Sequence, residues 1–278
     1  MNPRDLIRDA AEDFRRAGVP DPEYDSAILL SHLCGRPPLS LRLDTDTELD
    51  EDTVHLFRKL CGRRIKREPL QYILEEAPFC GVLFYVDPRV LIPRPETELL
   101  YEWAVESLSQ VLQPCVLDLC CGSGCLAISL KRRFPSASVW ASDISGGALD
   151  VARQNASRLD ADICFVQSDL FSSLPDVRFN LIVCNPPYIP ASECHSLQPE
   201  VMREPMIALD GGDDGMAFYR RICRESPHFL TAGGSLFMEL GDGESDDVSV
   251  LMRESGFSSV EIRNDYQLLP RMIRGIIT

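Results

Sequence analysis

The sequence predicts an α/β protein in which a doubly wound, mostly parallel sheet follows a small N-terminal helical domain. Three observations support this fold class. From Cys115 onward, apolar strand-like runs alternate with helix-like runs, as in a parallel sheet with helices on both faces. A turn of small residues joins the first of these strands to the helix after it. Before them, about 67 residues show apolar side chains at helical spacing only.

The N-terminal region is predicted to form three amphipathic helices. Apolar residues recur on one face of the first helix until Gly18 and Pro20 end it. The second helix runs from about Pro22 to Cys34, and the third from about Asp50 to Arg67. We therefore predict a helical domain over residues 1–69.

Residues 70–92 are rich in aromatic and β-branched side chains around Gly81, which indicates a β-hairpin or an extended connector between two domains. The remaining residues, 93–278, form the predicted catalytic domain. The C-terminal segment that begins at Ser259 indicates two strands around a loop, as expected if a hairpin closes the edge of the sheet. Five earlier strands complete a set of seven, at residues 115–119, 138–142, 163–167, 179–184 and 234–240.

The composition is that of a folded globular protein, with 45% hydrophobic and 26% charged residues. No segment has the length of a membrane-spanning helix, and the N-terminus lacks the pattern of a signal peptide, so we predict a cytoplasmic protein without a membrane partner. The formal net charge of −15 disfavours a protein that grips a phosphate backbone, and it favours a basic protein partner. We expect a monomer.

The cysteine pattern favours reduced thiols. Eleven cysteines is an odd number, and nothing marks the chain as secreted, so a disulfide framework is not expected. The chain has no Cys-x2-Cys pair, and therefore no metal site is predicted.

The turn after the first sheet strand is the predicted cofactor site. Cys121, Gly122, Ser123 and Gly124 lie between an apolar strand and an apolar helix, where glycines allow close backbone approach and free N–H groups favour a carboxylate or a phosphate. Asp143 ends the next strand, about twenty residues later, at the spacing of an acidic residue that accepts hydrogen bonds from ribose hydroxyls. These features alone leave a nicotinamide cofactor and S-adenosylmethionine as alternatives.

The predicted catalytic motif is Asn185-Pro186-Pro187-Tyr188, at the end of the fourth strand. In a doubly wound sheet the carboxyl ends of strands one and four are neighbours, so the motif is expected to face the cofactor. The Asn185 side-chain oxygen and the Pro186 carbonyl can accept both hydrogens of a planar NH2 group and turn its nitrogen lone pair toward a methyl donor. Tyr188 can pack on the planar group. The motif therefore predicts S-adenosylmethionine-dependent methylation of an amide or an exocyclic amine.

The chain resembles the release factor glutamine N5-methyltransferases over nearly its whole length. The resemblance includes EPLQYIL (68–74), IPRPETE (92–98), the strand–turn–helix at 116–127 and NPPYI (185–189), together with EP, GGDDG and RMIRG later in the chain. IPRPETE is the most discriminating of these segments, since NPPY is common to many amino-methyltransferases.

The resemblance implies a seven-stranded Rossmann-like methyltransferase sheet, S-adenosylmethionine as cofactor, and the glutamine of the Gly-Gly-Gln loop of release factors as substrate. It also implies that the N-terminal domain helps bind the release factor and that the IPRPETE helix covers the active site. The chain departs from the family twice. Cys120 replaces a glycine of the cofactor turn, and Leu170 stands where some relatives place Trp beside the adenine.

Two other functions stay open from the residues. Methylation of an adenine or guanine amino group in nucleic acid would use the same Asn-Pro-Pro-Tyr chemistry, although the sequence lacks an evident basic groove with stacking aromatics. A cofactor-binding module without catalytic activity is the third hypothesis.

Overall fold

The computed structural model describes residues 1–278. Its main feature is a seven-stranded sheet, which confirms the predicted fold class. The strands are β3 (Cys115–Leu119), β4 (Ser138–Asp143), β5 (Cys164–Gln167), β6 (Phe179–Cys184), β7 (Leu230–Glu239), β8 (Ser259–Asn264) and β9 (Pro270–Ile276). Their order across the sheet is β5-β4-β3-β6-β7-β9-β8.

The strand pairing brings the motif-bearing strand ends together. β3 lies between β4 and β6 and pairs with both in parallel. β9 pairs antiparallel with both β7 and β8, so the predicted C-terminal hairpin does close the sheet edge. β7 begins at Leu230, four residues before the predicted start, because Leu230 also pairs with Phe179 of β6. The register shifts between this pair and the next one, Leu181 with Ser235, and Gly233 in the intervening segment has a positive φ.

Helices cover both faces of this sheet. Alternate residues of each central strand enter two separate buried clusters: Val116 belongs to one and Leu117 to the other. The first cluster includes side chains of α6 (Pro95–Leu108), α7 (Cys125–Arg133) and α8 (Gly146–Arg158), and the second those of α9 (Ala217–Glu225) and α10 (Ser245–Glu254). None of the helices is long and apolar enough to span a membrane.

The predicted N-terminal domain, residues 1–69, contains four helices rather than three, and a fifth helix lies in the predicted connector. They are α1 (Pro3–Arg16), α2 (Pro22–Cys34), α3 (Pro38–Leu43), α4 (Glu51–Ile65) and α5 (Leu70–Leu74). The bounds of α2 agree with the sequence prediction. α3 was missed because Pro37-Pro38 reads as a stop, whereas Pro38 occupies the first helical turn. Five fully buried side chains fill the centre of this cluster, Phe14, Leu29, Leu30, Leu41 and Phe57.

The predicted connector begins with helix α5 and continues as a two-stranded sheet of β1 (Glu76–Phe79) and β2 (Val82–Tyr85). Phe79 and Phe84 of this hairpin are fully buried in the first sheet cluster. By contact density the chain forms two compact units, Met1–Glu76 with Gln198–Arg203, and Ala77–Leu197 with Glu204–Thr278. The hairpin thus belongs to the second unit, while the functional domain limits stay a prediction.

Candidate active site

The carboxyl ends of β3, β4 and β6 surround a cavity of about 220 Å³ in the second unit. Six of the predicted site residues line it, Cys120, Gly122, Asp143, Leu170, Asn185 and Pro187. The other five, Cys121, Ser123, Gly124, Pro186 and Tyr188, belong to the same two turns but are not among the lining residues. The topology therefore brings the cofactor turn and the Asn-Pro-Pro-Tyr motif to one cavity.

The turn between β3 and α7 is held in an unusual backbone conformation. Cys120, Gly122 and Gly124 have φ values of 61°, 52° and 77°. A Cβ added to Gly122 would meet no atom within 4 Å, whereas one added to Gly124 would lie 3.1 Å from the Ala152 side chain. Gly122 thus leaves the backbone open toward the cavity, and Gly124 serves the packing of α7 on α8.

Asp143 fixes this turn from the end of β4. Its Oδ2 accepts the Gly122 N–H at 2.9 Å, and its Oδ1 accepts the Ser145 N–H at 2.9 Å. Burial raises the pKa of Asp143, while these backbone donors oppose the shift. A carboxylate oxygen can accept more than one hydrogen bond, so each oxygen retains capacity for a ligand hydroxyl.

Several lining residues were not identified from the sequence. Ile144 and Asp169 directly follow or precede predicted residues, so their position beside Asp143 and Leu170 could have revealed them. Phe218 and Arg221 come from α9, and no local sequence signal marks them. Arg221 Nη1 lies 2.9 Å from Asp169 Oδ1, which closes one side of the cavity with an ion pair.

The donor set of the cavity fits S-adenosylmethionine. Gly122 offers open backbone in the turn before α7, and Asp143 offers a carboxylate at the end of the neighbouring strand β4. Leu170 and Phe218 offer apolar surface for a planar base. Leu170 is only 4% exposed and lines the cavity with an aliphatic side chain, at the position where the sequence has leucine in place of Trp.

The Asn-Pro-Pro-Tyr motif follows β6 directly, and its polar side chains are held by buried groups. Asn185 Nδ2 donates to Thr97 Oγ1 at 3.2 Å, and the Tyr188 hydroxyl donates to Glu239 Oε1 at 3.2 Å. Thr97 Oγ1 in turn donates to Glu239 Oε2 at 2.6 Å. Thr97 and Glu239 were not predicted as site residues, although Thr97 lies in the IPRPETE segment.

The GGDDG loop, residues 211–215, packs against the backbone of the same motif. An added Cβ at Gly211 would lie 2.7 Å from the Tyr188 Cα, and one at Gly215 would lie 2.5 Å from the Tyr188 carbonyl oxygen. No larger residue fits at either position without moving the backbone of the motif. The loop therefore packs directly on the motif.

A second buried carboxylate organises the chain that leads into α6. Glu204 accepts the Ile92 N–H at 3.0 Å and the Arg94 Nη2 donor at 2.5 Å, and it is only 5% exposed. Pro205, which follows it, lines the cavity, as do Val90 and Leu91. Hydrogen bonds from Ile92 and Arg94 to Glu204 thus join the IPRPETE segment to the EP segment beside the cavity.

Comparisons with known proteins agree with this geometry. A family model described as "Methyltransferase small domain" matches residues 97–212, and one described as "PrmC N-terminal domain" matches residues 5–74. The release factor glutamine methyltransferase of Geobacter sulfurreducens is 41% identical over 261 residues, covering 94% of this chain and 91% of that protein. The protein of the same name from Deinococcus radiodurans is 38% identical over 274 residues, covering 99% and 98%.

Among solved structures, a methyltransferase from Pyrococcus furiosus has a similar fold, with a TM-score of 0.53, 16% identity, and coverage of 71% of this chain and 90% of that one. At that identity the likeness concerns the fold alone. The sequence relatives reach further, because they align over nearly the whole chain. This chain is therefore an S-adenosylmethionine-dependent methyltransferase and belongs to the release factor glutamine methyltransferase family.

Proposed function

We propose that the chain transfers a methyl group from S-adenosylmethionine to the side-chain amide nitrogen, N5, of the glutamine in the Gly-Gly-Gln motif of peptide-chain release factors. The observation that carries the proposal is the orientation of Asn185. Its Nδ2 is bonded to Thr97, so its Oδ1 is the end left to accept hydrogens from an incoming NH2 group in the cavity.

The proposed roles of the chain follow from where its groups lie. Cys120 to Gly124, Asp143 and Leu170 hold S-adenosylmethionine, which supplies an electrophilic methyl group when bound. Asn185 Oδ1 and the Pro186 carbonyl accept the two amide hydrogens, which orients the substrate nitrogen. The prolines keep that carbonyl fixed, since their φ angles are locked.

Asn185 and Pro186 also stabilise the transition state. When the methyl group is transferred, the S–C bond of S-adenosylmethionine would break as the N–C bond forms, S-adenosylhomocysteine would leave, and positive charge would develop on the amide nitrogen. The two preorganised acceptor oxygens would stabilise that charge without a general base. The amide can then release its proton to water. Pro187 lines the cavity beside Asn185, and the Tyr188 hydroxyl is anchored by Glu239, which supports a rigid substrate-binding motif.

The partner and setting belong to the same proposal. We propose that the N-terminal helical domain contributes to release-factor binding, that the enzyme acts as a monomer without direct nucleic-acid contacts, and that it works in the cytoplasm. The charge of −15 supports a basic protein partner over a phosphate backbone. Termination of translation takes place in the cytoplasm, which supports that location.

Methyl-labelled S-adenosylmethionine tests the proposal. We expect label in a release factor, but not in the same factor with its Gly-Gly-Gln glutamine changed to alanine, nor in ribosomal or transfer RNA. As a catalytic control, Asn185→Ala should lower kcat by roughly 100-fold or more, because its oxygen acts mainly on the transition state. Its affinity for S-adenosylhomocysteine should stay within about twofold.

Two results would contradict the proposal. Label in nucleic acid alone would replace the glutamine substrate with a base amine. An equal loss of turnover and of S-adenosylhomocysteine binding in Asn185→Ala would remove Asn185 from its assigned role.

A further inference from the structure

A chain of buried hydrogen bonds leads from β7 to the catalytic asparagine. Glu239 Oε2 accepts from the Thr97 hydroxyl at 2.6 Å, and the Thr97 oxygen accepts from Asn185 Nδ2 at 3.2 Å. Thr97 is 3% exposed and Glu239 is 1% exposed, so water does not compete for these bonds. The other carboxylate oxygen of Glu239 accepts from the Tyr188 hydroxyl.

The direction of these bonds follows from the chemistry of the groups. An ionised carboxylate can only accept hydrogen bonds, and a hydroxyl carries a single hydrogen. Because Glu239 takes the hydrogen of Thr97, the Thr97 oxygen can only accept from its other neighbour. The end of the Asn185 carboxamide that faces Thr97 must therefore be the NH2 end.

The role of Glu239 as an acceptor follows from the two hydroxyl groups that contact it. Burial raises the pKa of Glu239, and the hydrogen bonds from Thr97 and Tyr188 and the positive charge of Arg271 oppose that shift. The negative charge of Glu96 also raises the pKa of Glu239. Both carboxylate oxygens have a hydroxyl donor, which is the arrangement that an anion requires.

We infer that Thr97 and Glu239 are positioning residues that fix the carboxamide of Asn185 with its oxygen toward the cavity. The two ends of a carboxamide are nearly equal in shape, so packing alone does not choose between them. The inference rests on the proposed function, since an amide substrate needs an acceptor at this position. A flipped Asn185 would present N–H donors to the substrate N–H donors.

The inference also gives the IPRPETE segment a chemical role. As a helix start, the segment needs Pro95 and acidic residues in the first turn, and these suffice for α6 to form. A buried threonine at the third position is not required for that purpose. Its hydroxyl joins α6 to the Asn-Pro-Pro-Tyr motif and to β7.

The test compares two variants of Thr97. Thr97→Val keeps the shape but removes the hydroxyl, which leaves the Asn185 NH2 end unpaired in the productive orientation. We expect kcat with the release factor to fall about 10-fold, the scale of an unsatisfied buried donor. Thr97→Ser keeps both the donor and the acceptor and should stay within about threefold of the wild type.

A selectivity measurement separates positioning from simple support of the fold. The second probe is the release factor with its Gly-Gly-Gln glutamine changed to glutamate, whose carboxylate only accepts hydrogen bonds. The wild-type enzyme should bind it weakly, because oxygen would face oxygen. In Thr97→Val the Asn185 side chain can turn its NH2 group toward that carboxylate. The preference for glutamine over glutamate, measured as the ratio of the Kd values of the two release factors, should therefore decrease about 10-fold.

The outcomes distinguish the two levels of the proposal. If wild-type enzyme labels the release factor, while Thr97→Val keeps both its kcat and its preference for glutamine, the positioning role is overturned. It is also overturned if Thr97→Val and Thr97→Ser lose activity equally with unchanged preference. Binding of S-adenosylhomocysteine by both variants shows that each is folded. A wild-type enzyme that labels no release factor would instead overturn the proposed function.

Discussion

Cys120 illustrates how one residue departs from its family and is tolerated. Cys120 stands where the family has glycine, which adopts a positive φ freely, and the structure gives Cys120 a φ of 61°. An L-residue in the left-handed region costs about 1–2 kcal/mol relative to the right-handed one, a cost that glycine avoids. The Cys120 side chain packs on the second buried cluster, which offsets part of that cost.

Replacing Cys120 separates backbone strain from side-chain packing. We expect Cys120→Gly to be more stable than Cys120→Ala by about 1 kcal/mol, because only alanine keeps a Cβ in the left-handed conformation. Urea unfolding of both variants measures the difference. Alanine at least as stable as glycine would show that the turn relaxes and that Cys120 carries no strain.

At the scale of elements, strand β3 and helix α7 are joined by a buried acid. Asp118 is 1% exposed, and its Oδ2 accepts the Ala127 N–H at 2.9 Å, near the start of the helix. Burial raises the pKa of Asp118 from 3.8 to about 8. The folded chain therefore holds a proton that the unfolded chain has lost between these two pH values.

This shift predicts how stability depends on pH. Because the folded pKa is the higher one, the contribution of Asp118 is fully present below pH 3.8 and is lost as the pH rises to about 8. Asp118→Asn keeps an acceptor for Ala127 without the titration. We expect the unfolding free energy of this variant, measured in urea, to increase relative to that of the wild type as the pH rises through this window. The expected increase is about 1 kcal/mol per pH unit. A difference independent of pH would contradict the shift.

At the scale of the whole molecule, the chain returns to its first compact unit at residues 198–203. Glu200 in this segment accepts from Arg64 at 2.7 Å and from Arg67 at 2.6 and 2.5 Å. Arg64 is 4% exposed and also donates to Asp25 at 2.7 Å. A buried guanidinium between two carboxylates makes this segment an integral part of the helical unit.

Loss of one carboxylate in this network should lower the stability of the whole helical unit. Glu200→Gln leaves Arg64 with one anionic partner instead of two, and we expect a loss of roughly 2 kcal/mol of stability, below the range for a fully broken buried pair. Hydrogen exchange should rise in residues 198–203. Glu193→Gln, at an exposed position of the same connection, is the matched control. Equal exchange in both variants would argue against the anchoring role.

Local sequence patterns determined most of the fold. The strand–turn–helix at 115–133, the strand before Asn185 and the C-terminal hairpin were predictable because alternating apolar runs and glycine turns act over neighbouring residues. Helix α3 was not, because the same proline pair can end one helix or begin another. The cofactor turn and the Asn-Pro-Pro-Tyr motif were found as separate motifs, and the sheet order placed them at one cavity.

Only the tertiary structure decided which distant groups complete the site. Thr97, Glu204 and Glu239 lie far apart in the chain, and their sequence context reads as a helix start, a loop and a strand end. Their roles depend on burial and on hydrogen-bond partners more than 85 residues away, such as Thr97 for Asn185. Adjacent residues determine the chemistry of a motif, whereas the orientation of its side chains is set by contacts that exist only after the chain has folded.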